Sequence, residues 1–132
     1  MSAPNLVNVS TITAKSVQAA LTTTLTTEIL ANAGSSGKVF KVNNILVANI
    51  DGTNAADVTV GVDKATRTSA ATGSSVSGAL FKIASTVSVP ADAVLVLLDT
   101  PIYLEEGDVL EGGASAASDL TLFVSYEVID DA

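Results

Sequence analysis

The sequence predicts an all-β fold: one domain, an antiparallel β-sandwich or jelly roll of about eight to ten strands. Three observations predict it. Apolar residues recur with a period of two through most of the chain, threonine is abundant in the apolar segments, and turn residues punctuate them at short intervals. A period of two places alternate side chains on one face of a strand, and branched Cβ atoms favour strands over helices.

Taken in order, "LVNVSTI" (6–12) and "KSVQAALTTTL" (15–25) read as strands, with a helical alternative over "SVQAALTTTLTTEILANA" (16–33) that weakens once the threonines begin after Leu21. The organisation expected is an N-terminal arm with a first strand over 1–15, followed by a sandwich domain over 16–132. "TEILAN" (27–32) follows, and then the longer "KVFKVNNILVANI" (38–50), whose centre from Ile45 to Ala48 is apolar on both sides. In "ADVTVGVD" (56–63), Val58, Val60 and Val62 share one face. The span 64–78, "KATRTSAATGSSVSG", has no apolar face and reads as a solvated hairpin tip, with a strand extension ordered by a partner as the alternative. "LFKIASTVSV" (80–89) resumes the alternation, and "AVLVLL" (93–98) is again apolar on both sides. Strands of that kind are covered twice, by a second layer or by a neighbouring subunit. "IYLEE" (102–106), "DVLEGGAS" (108–115) and "DLTLFVSYEV" (119–128) close the series. Turns are marked at Gly34–Gly37, Asp51–Gly52, Gly73–Ser75, Pro90–Asp92, Glu106–Asp108 and Ser115–Ser118.

Composition narrows the function classes. The 132 residues include no Cys, no His and no Trp, which removes most metal-ligand sets and most nucleophile–base pairs, so no catalytic residues, no cofactor and no metal are expected. The start of the chain lacks a basic segment followed by an apolar core, and no apolar run is long enough to cross a bilayer. Net charge is −8, with every Lys and Arg before residue 90 and only acids after it. Such a surface repels nucleic-acid phosphates, so direct nucleic-acid binding is not expected.

One cluster resembles chemistry: Glu105, Glu106, Asp108 and Glu111 around Gly107. Four carboxylates in so short a stretch raise a cation site, yet strand alternation scatters them to opposite faces and the spacing fits no calcium loop. The reading taken is a hairpin corner with solvated carboxylates. Ser74, Ser75 and Ser77 have no histidine to activate them, and the few aromatic residues make a poor sugar platform. What remains is the 48% hydrophobic content, high for a small free monomer, which points to surface covered by other chains. Phe40, Phe81 and Phe123 are candidates for that interface, or else fill a second core face.

Three stretches, "SSGKVFKVNNILVANIDGTNAADVTV", "FKIASTVSVPADAVLVLLD" and "PIYLEEGDVLEGGASAASDLTLFVSYEVID", together resemble small virion structural proteins of marine tailed bacteriophages, especially those infecting cyanobacteria. The likeness covers residues 35–130 and rests on the order of its turns, with Thr66 to Gly78 resembling an insertion. It implies a component of the virion, made in the host cytoplasm. The first expectation is a capsid decoration, or cement, protein: a homotrimer that clasps major capsid proteins through its N-terminal arm, including Leu6, Val7 and Val9, and an apolar edge. A tail, baseplate, fibre or neck component is the alternative. From another class, a carbohydrate-binding adhesion module would use Tyr103 or Tyr126.

Overall fold

The computed structural model describes residues 7–64, 67–68, 75–76 and 80–131. Its elements are all strands: β1 (Val9–Ala20), β2 (Thr27–Ala31), β3 (Lys38–Asn49), β4 (Ala56–Asp63), β5 (Arg67–Thr68), β6 (Ser75–Val76), β7 (Leu80–Val89), β8 (Val94–Leu98), β9 (Ile102–Leu104), β10 (Val109–Ala114) and β11 (Leu120–Asp131). Two antiparallel sheets pack face to face. The first runs β1-β11-β3-β8, with β9 pairing the other half of β3; the second runs β2-β10-β4-β7. Apart from β4 to β7 and the shared lane of β8 and β9, each connection crosses from one sheet to the other, which is jelly-roll order. No helix forms among the described residues: the segment after Leu21 leaves the strand and then enters β2.

Two expected strands, 6–12 and 15–25, are one strand here. β1 runs without a break through residue 15, because β11 offers an equally long partner from Thr121 to Asp131. It stops at Ala20, and the next residue, Leu21, turns into the core at 1% exposure. In the 64–78 span, β5 and β6 form a two-rung hairpin, Arg67 opposite Val76 and Thr68 opposite Ser75; apart from Lys64, the rest of that span, and Leu6, lie outside the described residues.

The core sits between the sheets. Ile45 and Val47 of β3, Leu120, Leu122 and Val124 of β11, Val58 and Val60 of β4, and Leu110 of β10 meet there, each nearly or completely buried. Burying a side chain of this size contributes about 1.5–3 kcal/mol, so this inward alternation supplies the main drive for folding. A bulge opposite Ser125 and Tyr126 keeps Phe40 and Val42 on the inner face at the far end of β3.

Two buried asparagines close opposite ends of β3. Asn32 donates through Nδ2 to the carbonyls of Lys38 (2.9 Å) and Leu104 (3.1 Å), and its Oδ1 accepts from the Ser36 hydroxyl (2.7 Å). Asn49 donates to the carbonyls of Asn54 and Val89, both at 2.9 Å, while its Oδ1 accepts the Asp51 N–H at the same distance. A buried amide costs free energy unless it is paired, and here Asn32 bonds the carbonyls of two strand-end residues, Lys38 and Leu104, and Asn49 those of the strand-end Val89 and the loop residue Asn54.

Candidate interaction face

The acidic turn is structural, and the expected solvated carboxylates are not what forms. Asp108 is 0% exposed and Glu106 4% exposed. Gly107 adopts φ +85°, the left-handed region that glycine enters without penalty, and its N–H donates to the Asn32 carbonyl at 2.7 Å. Asn32 N–H in turn reaches the Asp108 carbonyl at 3.0 Å. The Asp108 carboxylate accepts the Glu105 N–H at 2.9 Å and the ammonium of Lys64. The reason the sequence reading missed this is tertiary: Lys64 and Asn32 come from distant parts of the chain and convert a corner into a sealed end of the sandwich. Among the described residues no group of three or more His, Cys, Asp or Glu is arranged to hold a metal ion.

Glu111 leaves the turn and joins a different neighbourhood on the outer face of the second sheet. It stands opposite Glu28 on one side and Gly61 on the other. Burial pushes its carboxyl above the ordinary value of 4.5, and the charges of Asp63 and Glu28 push in the same direction. This outer face is partly covered at its other end. At Gly113 an added Cβ would lie 2.6 Å from the Thr24 carbonyl oxygen and 2.8 Å from the Leu25 Cα, so the loop after β1 rests directly on β10. A shallow cleft of about 280 Å³ beside that loop is lined by Thr23, Leu25, Asp57, Thr59, Thr86 and Ser115.

The outer face of the first sheet is different. Strand register places Phe123 of β11 opposite Leu46 of β3, and Leu46 opposite Val96 of β8. The next row is Thr121, Ala48 and Val94. Ile50, just beyond β3, extends the same side. Inward neighbours Ile45, Val47 and Asn49 are buried, whereas Val94 and Ile50 are each 65% exposed, Val96 55% and Phe123 40%. No charged side chain interrupts these rows. At the Ile50 end the rim is acidic: Asp51, Asp92 and Asp119 lie beside it, linked through the Ile50 N–H to the Asp119 carbonyl (2.8 Å) and the Asp92 N–H to the Asp51 carbonyl (3.2 Å). The Thr53 N–H and the Asn54 side chain, bonding to the Asp51 carboxylate, hold its carboxyl below the usual range. At the opposite end, β3 carries Lys41 opposite Glu127.

The residues marked from sequence divide among different places. Phe123 lies within this apolar face. Phe40 packs against the core and pairs with Tyr126, ring centroids 5.6 Å apart. Phe81 is exposed at 54% near the start of β7 in the other sheet. Val7 is 95% exposed and Val9 half-buried at the start of β1. Tyr103 and Tyr126 stand on opposite faces of the first sheet, since Tyr103 pairs with Lys41 and Tyr126 with the inward Val42. Leu46, Ala48, Ile50, Val94 and Val96 were not singled out individually, although the two-sided apolar character of "ILVA" and "AVLVLL" is their signal.

No family model matches the chain, and no curated protein matches it. Among solved structures, a chain of the Bacillus endospore appendages, disulfide-linked pili, is similar over 92% of this chain and 90% of that one, at a TM-score of 0.46 and 15% identity. That likeness is too distant to bear on function.

Proposed function

We propose that this protein is a non-enzymatic structural subunit of a multi-copy particle, read first as a decoration protein on the capsid of a tailed bacteriophage. The observation that carries the structural part of the reading is the pair of uncharged rows on the outer face of the β1-β11-β3-β8 sheet, whose apolar side chains the chain's own second layer leaves uncovered. Exposed apolar rows of this kind mark surfaces that other proteins cover. The phage assignment rests on the resemblance of residues 35–130, and the homo-oligomer, with a trimer as the form that resemblance implies, belongs to the same proposal. Many copies, each with a modest contact, would reinforce a shell through avidity.

The test is copy counting by quantitative mass spectrometry of purified particles. Decoration requires many copies spread over the shell. A few copies confined to one vertex would move the protein to the tail or neck, and its absence from the particle would end the reading.

A further inference from the structure

We infer that the open edge of β1 accepts an extended strand from a different polypeptide, which adds to the first sheet beside Thr11 to Ala20. This goes beyond the structural-subunit reading and rests on it only for where that polypeptide is found.

β1 ends the sheet order, so one of its two edges has no strand beside it among the described residues. The Leu21 N–H reaches the Leu120 carbonyl at 2.8 Å, and bonded and non-bonded pairs alternate along an antiparallel ladder. Odd-numbered residues of β1 therefore bond to β11, and Ile12, Ala14, Ser16, Gln18 and Ala20 turn their N–H and carbonyl groups outward. No backbone bond outside that ladder engages them among the described residues. Ser10 to Ser16 are exposed one after another, so neither face of that half is covered.

Open edges invite pairing, and proteins blunt them with short strands, bulges, charges or proline. The three other edges of the sandwich are blunted in these ways. β2 has five residues, a register shift against β10, and Glu28. β7 shifts register twice against β4 and holds Thr86 at φ +48°. The lane of β8 and β9 is broken between Leu98 and Ile102 by Asp99, Thr100 and Pro101. From Thr11 to Ala20, β1 instead keeps a continuous register without proline and carries a single charge, Lys15.

A row of outward N–H and carbonyl groups is matched by another extended backbone, and side chains then select which one. Lys15, Val17 and Ala19 alternate on the core side of β1, where Val17 and Ala19 pack against the buried cluster. The strand that fits presents an acid to Lys15 and apolar residues at the next two alternate positions. A second copy could offer only its own β1, which contains no acid, so the occupant belongs to another protein.

The experiment uses the full chain, isotope-labelled for amide exchange, with a pair of synthetic decapeptides, one sequence the reverse of the other. Each carries Glu, Val and Val at alternate positions and Thr elsewhere. Binding should slow exchange at the Ala14, Ser16 and Gln18 amides by roughly tenfold, as for one strong hydrogen bond. Ser16→Pro removes an outward N–H where an edge strand tolerates proline, and should abolish that protection with an unchanged far-UV circular dichroism spectrum. Should that variant fail to fold, Lys15→Glu, at an exposed position, serves in its place. Its affinity should fall about two- to fivefold and return when the peptide's Glu is replaced by Lys. No binding of either peptide, protection centred on β2, β7 or β8, or binding indifferent to both variants would each overturn the inference. So would concentration-dependent protection of the same amides in the protein alone, which would make a second copy the occupant. On purified particles, segment 9–20 should exchange more slowly than in the free protein. Unchanged exchange there, with the protein present in many copies, removes this contact alone, whereas absence from the particle removes the structural-subunit reading and leaves the peptide result standing.

Discussion

The turn at Glu105–Glu111 and the outer face of the first sheet differ in a way that composition would not suggest. The turn concentrates charge and draws attention as a site, yet Asp108 is engaged by Lys64 and the Glu105 N–H, and Gly107 is tied to Asn32. The sheet face is made of valine, leucine, isoleucine and alanine with one phenylalanine and one threonine, and it is where interaction capacity remains. Buried polar groups are costly unless their bonds are made inside the fold, so a buried acid is usually occupied. An exposed apolar row has no internal partner, and only another surface can remove it from water.

The contrast can be broken most severely at the turn. Asp108→Ala removes the acceptor of both Lys64 and the Glu105 N–H, and is expected to cost about 3–5 kcal/mol of folding stability, read by urea denaturation. A cost below about 1 kcal/mol would show that the turn is not integral to the fold. Gly113→Ala examines the covered part of the other outer face: its new methyl meets the Thr24 carbonyl and the Leu25 backbone, and about 1–3 kcal/mol should be lost. Ala48→Val, on the uncovered face, is the matched control and should change stability little.

Glu111→Gln sharpens the comparison further, since Glu111 belongs to the turn in sequence but to the acidic outer face in space. Its folded-state carboxyl lies above the ordinary 4.5 because of burial, Asp63 and Glu28. For a group shifted in that direction, the stabilising contribution is complete below the unfolded value and is lost as pH rises through the folded value. At neutral pH the substitution should therefore stabilise the protein, by less than about 1 kcal/mol as for a like-charge cross-strand pair. The gain should disappear in thermal melts below pH 4.5. The smallest effect on folding is expected at the apolar face itself. Val96→Asp should shift stability by no more than about 0.5 kcal/mol, as read by urea denaturation; a large loss would mean that Val96 serves the fold.

Much of the architecture is legible without coordinates. Strand alternation is local, so Val58, Val60 and Val62, or Leu120, Leu122 and Val124, declare a buried face from their spacing alone, and the turns declare where each strand ends. The break expected between residues 12 and 15 was not formed, because an edge strand takes its length from its partner, and β11 is long. The candidate face was half legible. "ILVA" and "AVLVLL" announce strands apolar on both sides, but spacing does not say that β8 lies beside β3 and β3 beside β11, and only that order makes separate residues one surface.

By itself the sequence determined an all-β chain, the inward set of most strands, and the scarcity of groups able to do chemistry. Tertiary structure alone decided the rest: that Lys64 and Asn32 close the acidic turn, that the three phenylalanines part company, and that Phe123, Leu46 and Val96 stand in one row. The division has a physical origin. Backbone alternation depends on neighbours in the chain, whereas burial, ion pairing and surface continuity depend on which strands meet across the sheet.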